Sequence, residues 1–401
     1  MKLFVILTPY TFTEFDYYKY ELSFLKKEYN CKIIVHDLSN IVSNRNLNSV
    51  WRTPRCKKAK IFYSFFSWLK EFNKIKKNSN SVVYNLIDLH NFSSFLIKLT
   101  LISSKLKILI FSADEVPYWK PKKNIIFFLK KILNHKLNYK LYLFNLNHVF
   151  FKKLFNLFKI KNFYLLTINR EIFSNEKKYK KIIKCNSQDY SNLILYKKKF
   201  LKVKKSKERN YIIYIDNGGP YFSGDALLNY AKLPENNTEL FYNKLNNFFD
   251  RIELFFNKKI IIIPHRKYKV PKLKNKNLIT YFQNRISNNS YDALPKLIIN
   301  SLFVMSRGST AIGYAVASYK PIQLIYSSTY NYVENELKDL RVQARVLGTN
   351  LIDIDYFDQN KIVDNLVIKK NKYNIYKKKY LVSKNNYKPN YKIIGDFFEN
   401  L

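Results

Sequence analysis

Glycine is scarce in this sequence: seven glycines occur among 401 residues, and all of them follow residue 217. The first half therefore has no glycine-rich phosphate-binding loop of the G-x-G-x-x-G or G-x-x-x-x-G-K type. A nucleotide is accordingly expected to bind the second half of the chain. The three cysteines are widely spaced and include no C-x-x-C pair, which fits a reducing compartment and argues against a cysteine-rich zinc site.

Long apolar runs are also missing. No stretch reaches the roughly 18 apolar residues that a membrane span needs. The N-terminal residues MKLFVILTPYTFTEFDYY soon become polar and acidic, which is typical of a first strand rather than a signal peptide. The sequence contains no H-E-x-x-H or G-x-S-x-G motif and no Walker lysine loop. We therefore predict a cytoplasmic protein with no cofactor and no required metal.

Short apolar runs alternate with amphipathic segments along both halves of the chain. KLFVIL, CKIIVHDL, SVVYNLI and KILIF are typical of buried parallel strands, and the segments between them have helical periodicity. The same alternation resumes at residue 211. The sequence thus predicts an α/β fold with two Rossmann-like domains facing a central cleft. The predicted boundaries are an N-terminal domain at 1–195, a basic linker at 196–210, a C-terminal domain at 211–385 and a final helix at 386–401.

The chain is strongly basic, with a formal net charge of +42. A nucleic acid, an anionic membrane and an anionic substrate are each compatible with this charge. No zinc-finger spacing, RNP-like motif or helix-turn-helix is evident, which argues against nucleic acid. Residues 116–170 contain twelve Lys or Arg and no Asp or Glu. This segment predicts either an ordinary amphipathic helix packed on the sheet or a peripheral contact with anionic lipid.

Three motifs in the second half follow apolar strands directly. Ser306-Arg307-Gly308-Ser309-Thr310 stands between the strand LFVMS and the helix TAIGYAVAS, where free N–H groups suit a phosphate. Pro264-His265-Arg266 follows KKIIII, and Asp216-Asn217-Gly218 stands at the end of the strand YIIYID. Ligands of open α/β sheets bind at such carboxyl ends. The predicted nucleotide- and phosphate-binding residues are Asp216, Asn217, Gly218, Arg266, Arg307, Gly308, Ser309 and Thr310.

Catalytic groups are predicted in both halves. The His265 imidazole could donate a proton to a leaving phosphate. Asp114 and Glu115 follow the strand KILIF, and either carboxylate could act as the general base for an acceptor hydroxyl. An acidic turn or a helix cap is the alternative interpretation of this pair.

Residues 185–330 resemble glycosyltransferase-like proteins of capsule and lipopolysaccharide assembly, within the GT-B glycosyltransferases. The resemblance is carried by YIIYIDNGGPY, IIIIPHRKY and NSYDALPKLIINSLFVMSRGSTAIGYAVASYKPIQLI. It implies a nucleotide-sugar donor, with CMP-activated acidic sugars favoured, and a glycan or lipid-linked glycan acceptor. Enzymes using CMP-sugars carry a His-Pro pair and a Ser/Thr pair, whose places His265 and Ser309 with Thr310 would take. Arg266 stands where the proline is expected.

The sequence therefore predicts a metal-independent glycosyltransferase that builds a bacterial surface glycan at the inner membrane. Two alternatives stay open. One is a CDP-alcohol-dependent glycerol- or ribitol-phosphate transferase of the teichoic-acid type. The other is a basic binding module without enzymatic activity.

Overall fold

The computed structural model shows two parallel β-sheets, each covered by helices on both faces. This confirms the predicted α/β class. The residues that the structure describes are 2–42, 54–78, 80–89, 91–112, 116–118, 139–158, 160–168, 179–200, 211–217, 237–265, 282, 285–287, 293–332, 336–383 and 387–400.

In the described part of the chain, the first sheet has seven strands in the order β3-β2-β1-β4-β5-β6-β7. All neighbouring strands pair in parallel, which explains why most of them are apolar on both faces. The strands are β1 (Lys2–Thr8), β2 (Cys31–Asp37), β3 (Ala59–Ile61), β4 (Ser81–Asn85), β5 (Lys107–Phe111), β6 (Phe163–Thr167) and β7 (Lys181–Lys184).

Helices connect these strands. Several begin at a side-chain cap: Thr13 and Asn91 each form a reciprocal capping box with a residue three positions later. The helices are α1 (Glu14–Lys19), α2 (Leu22–Tyr29), α3 (Ser39–Val42), α4 (Phe65–Lys76), α5 (Phe92–Ser103) and α6 (Tyr139–Asn156). Residues 119–138 of the basic segment 116–170 lie outside the described residues.

The second sheet has five described strands in the order β12-β11-β10-β8-β9, again all parallel. A parallel bridge between Ile262 and Ile286 continues the sheet beyond β9. The strands are β8 (Tyr211–Ile215), β9 (Lys259–Ile263), β10 (Val304–Ser306), β11 (Ile322–Tyr326) and β12 (Leu351–Asp353).

The helices of this half, apart from the last one, pack on both faces of the second sheet. In the apolar segment LITYFQ, only Phe282 belongs to the described part, and that residue lies in a turn. The helices are α7 (Gln188–Phe200), α8 (Thr238–Phe256), α9 (Leu294–Asn300), α10 (Ile312–Ala317), α11 (Glu336–Leu347), α12 (Gln359–Asp364), α13 (Lys370–Tyr376) with a π-helical turn at Lys377–Leu381, and α14 (Asn390–Glu399).

Two helices pack against the sheet that is remote from them in sequence. Helix α7 follows the first sheet, yet its Tyr190 and Leu193 belong to the apolar cluster on the second sheet. Helix α14 follows the second sheet, yet its Tyr391 and Phe398 pack in a cluster of the first sheet. The predicted linker at 196–210 therefore begins inside α7, and residues 201–210 lie outside the described part. The predicted domain boundaries stay predictions.

The residues just before α7 form hydrogen bonds with the residues at and before the start of α14. The Asn186 N–H donates to Asn390 Oδ1 at 2.9 Å, and Asn390 Nδ2 donates to the Asn186 carbonyl at 2.9 Å. The Ser187 N–H donates to the Leu381 carbonyl at 2.8 Å. The two chain crossings are thus joined through buried backbone groups, which need such partners.

We expect Gly395→Ala to destabilise the protein by about 1–3 kcal/mol. A Cβ at Gly395 would overlap the ring of Tyr29 on α2. The ring would have to swing away and lose the hydrogen bond from Tyr29 Oη to Asp396 Oδ1 (3.0 Å). Urea unfolding measures the loss of stability. Tyr29→Ala and the double variant complete a double-mutant cycle, in which the destabilisation by the two single changes should not be additive. An unchanged midpoint for Gly395→Ala would contradict the close approach of α14 to α2.

Candidate functional site

The polar residues that follow the second-sheet strands lie at one edge of that sheet. Strands β9, β8 and β10 are neighbours, with Ile215 paired to Ile263 on one side and to Ser306 on the other. Their carboxyl ends are therefore adjacent. After β8 the chain forms β9 on one side of it and later β10 on the other side. The strand order therefore reverses at β8, which makes this edge a topological switch point. Asp216, Asn217, His265 and the loop 307–310 follow these three ends directly.

Hydrogen bonds join the three strand ends. Asn217 Nδ2 donates to the Arg307 carbonyl at 2.9 Å, and the Asp216 N–H donates to the Ile263 carbonyl at 3.0 Å. Asp216 is buried and His265 is half-buried. The structure thus brings together Asp216, Asn217 and the start of the 307–310 loop, and it places His265 at the end of the adjoining strand.

The loop between β10 and α10 is a tight turn rather than the start of a long helix. Gly308 has a φ of +96°, which favours glycine, and the Ser309 N–H donates to Ser306 Oγ at 3.1 Å. Bonds of the i→i+3 type follow, from Ile312 N to the Ser309 carbonyl and from Gly313 N to the Thr310 carbonyl. The helix begins at Ile312, two residues later than the sequence suggests.

Ser309 and Thr310 differ in their surroundings. Ser309 Oγ accepts a hydrogen bond from the Ala311 N–H at 3.3 Å, so part of its capacity is used within the turn. The hydroxyl hydrogen is still available as a donor. Thr310 is exposed. Behind the turn, Gly313 lies against Asp189 and Leu381, which explains the small residue on this face of α10.

Arg307 is buried, although the sequence predicts a phosphate ligand at this position. Its side chain is 1% exposed, and Cζ lies 4.7 Å from the ring centre of Phe241 and 4.8 Å from that of Tyr330. Glu336 Oε1 is 3.6 Å from one terminal nitrogen. None of the three guanidinium nitrogens of Arg307 has a hydrogen-bond partner within the described part of the chain. In this conformation the guanidinium joins loops, and its role as a phosphate ligand stays a prediction.

The charge on Arg307 is favoured by its neighbours. Burial disfavours the charged guanidinium, but Glu336 and the surrounding tyrosine hydroxyls outweigh this and raise its pKa above the usual range. Burial also raises the pKa of Tyr332 to about 12, with Arg307 acting in the opposite direction. We refer to Phe241, Tyr330 and Tyr332, whose rings surround the guanidinium, as the Arg307 cage.

The loop after β11 is part of the same edge and was missed by sequence reasoning. Asp355 Oδ2 accepts hydrogen bonds from Ser327 Oγ (2.9 Å), the Thr329 N–H (2.9 Å) and Thr329 Oγ1 (3.0 Å). Lys244 Nζ lies 3.2 Å from Asp355 Oδ1. These contacts fix the loop that carries Tyr330 and Tyr332.

Asp355 is the second carboxylate of an Asp-x-Asp sequence, Asp353-Ile354-Asp355. Burial opposes its ionisation, but the hydrogen bonds from Ser327 and Thr329 and the Lys244 ammonium outweigh this and hold its pKa below the ordinary value. In this structure both Asp355 oxygens are engaged by protein groups. The sequence signal that could have identified the loop is this spacing, directly after an apolar strand.

Four predicted site residues lie outside the described part of the chain: Asp114, Glu115, Gly218 and Arg266. The strand before the acidic pair, β5, ends at Phe111, and the Ser112 N–H donates to the Leu166 carbonyl at 2.9 Å. The pair therefore follows the carboxyl edge of the first sheet by two residues, and its catalytic role stays a prediction.

Comparison with known proteins identifies the fold. No family model and no curated protein sequence matches the chain. Among solved structures, the wall teichoic acid polymerase TagF is similar with a TM-score of 0.51 and 13% identity, over 100% of this chain and 88% of that one. A TagF variant gives a TM-score of 0.54 at 11% identity over the same shares. The fold is of the GT-B type.

A second group of similar structures consists of UDP-GlcNAc 2-epimerases. The enzyme from Methanocaldococcus jannaschii has a TM-score of 0.47 and 14% identity, with 100% of both chains covered. The likeness to TagF at these low identities shows the fold, and it confirms the GT-B architecture that the sequence predicts.

Proposed function

We propose that this protein is a GT-B-type glycosyltransferase that transfers a sugar from a nucleotide-activated donor to a growing surface glycan. The observation that carries the proposal is the convergence of Asp216, Asn217, His265 and the 307–310 loop at the switch point of the second sheet. Phosphate-bearing ligands of open α/β sheets bind at this place. The TagF structures, one of which was soaked with CDPG, have the same fold and support a cytidine nucleotide.

The proposed chemistry uses the side chains at both sheets. The acceptor oxygen attacks the anomeric carbon, and the bond from that carbon to the phosphate oxygen breaks with its electron pair on the leaving nucleotide. Asp114 or Glu115 takes the acceptor proton. His265, Arg266 and the hydroxyls of Ser309 and Thr310 stabilise the negative charge that develops on the leaving phosphate. We propose that a CMP-sugar is the donor and that the reaction needs no metal.

A glycerol- or ribitol-phosphate transferase is the second candidate, since the likeness to TagF favours it. In that reaction the acceptor oxygen attacks the β-phosphorus of a CDP-alcohol, and CMP leaves. The product contains phosphorus from the donor, whereas the product of a glycosyltransferase does not. Product analysis with phosphorus-labelled CDP-glycerol and with a CMP-sugar separates the two functions.

The first experiment is a thermal-shift titration with CMP, CDP, UDP and GDP and with their sugar or glycerol conjugates. A ligand that binds only the folded protein stabilises it by about 2.7 kcal/mol at a hundred times its Kd. We expect a shift with cytidine nucleotides. A higher Tm with UDP or GDP conjugates would contradict the CMP-sugar assignment. An unchanged Tm with every nucleotide at low salt would favour the basic binding module.

The double variant Ser309→Ala/Thr310→Ala is expected to weaken binding of the cytidine nucleotide about tenfold or more, because two hydroxyl donors to a charged phosphate are lost. A matched control is Thr100→Ala/Ser103→Ala on α5, whose hydroxyls bond only to helix carbonyls in the described structure. Calorimetric titration of each folded variant gives the Kd. Unchanged affinity in the 309/310 variant would remove this turn from the phosphate site.

A further inference from the structure

Helices α5 and α6, together with the two residues that follow α6, present a group of exposed apolar side chains beside each other. Phe150 is 60% exposed and Leu157 is 79% exposed, although both are large apolar residues. Scattered single apolar residues are ordinary on protein surfaces, but a contiguous group marks an interaction site. We define the α5–α6 patch by its members Phe92, Val149, Phe150, Leu157 and Phe158.

Ring contacts show that the aromatic part of the patch is continuous. The ring centre of Phe151 lies 6.2 Å from that of Phe92 and 5.3 Å from that of Phe150. Phe95, which is buried, lies 6.3 Å from Phe158 and 5.3 Å from Phe151. The exposed rings thus stand on a rigid base that belongs to the core of the first sheet.

Two exposed lysines on α6 accompany the patch. Lys152 and Lys153 are exposed on α6. Lys153 comes three residues after Phe150, about one helical turn, so these two side chains lie on the same side of the helix. Segments 91–112 and 139–168 contain no Asp or Glu. The acidic residue nearest to the patch along the chain is Asp88, which is exposed ahead of α5.

We propose that the α5–α6 patch docks the protein on the surface of an anionic lipid bilayer. Exposed phenylalanine and leucine side chains suit the boundary between headgroups and acyl chains, and flanking lysines are attracted to anionic headgroups. Among the described residues, no helix is long and apolar enough to cross a membrane. This docking surface rests on the proposed function, because it would face a membrane-borne acceptor of the transferase.

The charge of the patch favours lipid over a second copy of the chain. A two-fold contact through the same face would bring Lys152 and Lys153 of one copy toward those of the other. No carboxylate in segments 91–112 and 139–168 could neutralise them. Anionic headgroups supply the opposite charge without this repulsion.

The test is co-sedimentation of the whole protein with vesicles of phosphatidylcholine alone and of phosphatidylcholine with phosphatidylglycerol at about three to one. We expect binding to the anionic vesicles that falls with salt. Phe150→Ser/Leu157→Ser should lower the partition coefficient about tenfold or more, since two side chains no longer enter the interface. Lys152→Glu/Lys153→Glu should lower it by a similar factor and flatten the salt dependence.

Leu254→Ser on α8 is the matched control, since this leucine is 85% exposed but lies on the second sheet's helix layer. We expect it to bind vesicles like the unchanged protein. Equal binding by the Phe150/Leu157 variant, or an equal loss in the control, would overturn the proposal. Dimerisation that this variant abolishes, without vesicle binding, would assign the patch to a second copy. Nucleotide-induced shifts of the same variants report the proposed transferase site separately.

Discussion

Arg307→Ala is expected to lower the free energy of unfolding by about 3–5 kcal/mol, as for other buried charges whose environment is disrupted. Truncation removes the cation–π contacts with Phe241 and Tyr330 and leaves a cavity between their rings. It also removes the 3.6 Å ion pair between the guanidinium and Glu336 Oε1. Urea unfolding measured by circular dichroism gives the change from the midpoint and slope.

The consequence for ligand binding follows from what Arg307 joins. Its carbonyl accepts from Asn217, and its side chain lies against Tyr330 in the loop after β11. We expect the alanine variant to bind cytidine nucleotides more weakly even where it remains folded. If Arg307 positions these loops, the alanine variant loses affinity for the nucleotide and also has a lower Tm.

Two further variants distinguish this role from a general effect of charge. Arg307→Lys keeps the charge but replaces a planar, weakly hydrated group by a compact ammonium, so we expect it to be destabilised as well. Arg251→Ala removes an exposed arginine whose one described ring contact is to Phe357 at 5.8 Å, and we expect a loss of at most about 1 kcal/mol. Equal stabilities for all three variants would contradict the cage.

Local pattern was sufficient to predict most elements of both sheets. The continuous apolar runs KLFVIL, YIIYI and KIIII are the buried strands β1, β8 and β9, because a parallel strand covered on both faces needs apolar side chains on both sides. The polar residues directly after these runs were predicted as site residues because they mark the carboxyl ends of the strands. The structure places Asp216, Asn217 and His265 at those ends.

Contacts between distant parts of the chain could not be predicted in this way. Sequence pattern does not report whether an arginine is buried, so Arg307 was predicted as a phosphate ligand without any sign that its side chain is 1% exposed. The return of α14 to the first sheet depends on the close approach of Gly395 to Tyr29 on α2, more than 360 residues away along the chain. The single sequence contains no periodicity that reports such pairs.

Glu21 is the clearest residue of this kind. It is buried between α1 and α2 with a φ of +57°, a conformation that non-glycine residues rarely adopt. Its carboxylate accepts a hydrogen bond from Ser191 Oγ and another from the Tyr391 N–H at 2.8 Å. The Asn390 N–H in turn donates to Ser191 Oγ at 2.6 Å. One carboxylate therefore joins the first sheet's helices to both chain crossings.

We expect Glu21→Gln to remove a pH-dependent loss of stability. Burial raises the pKa of Glu21 to about 7, although the hydrogen bonds from Ser191 and Tyr391 act in the opposite direction. Between the unfolded pKa of about 4.5 and the folded pKa of about 7, the folded state holds one more proton than the unfolded state. The contribution of Glu21 to stability is complete below this window and is lost as the pH rises through it, by about 3 kcal/mol in total.

Glutamine stays neutral at every pH, and its amide oxygen can accept from the Tyr391 N–H while its NH₂ donates to Ser191 Oγ. The difference in unfolding free energy between Glu21→Gln and the unchanged protein should therefore increase by about 2.5 kcal/mol from pH 5 to pH 8. Buried His36, whose pKa is lowered to about 4 by desolvation, acts equally in both proteins and cancels from this difference. Glu399→Gln, at an exposed position on α14, controls for the loss of one negative charge. Parallel stability profiles for Glu21→Gln and the unchanged protein would show that the carboxylate stays ionised in the folded state.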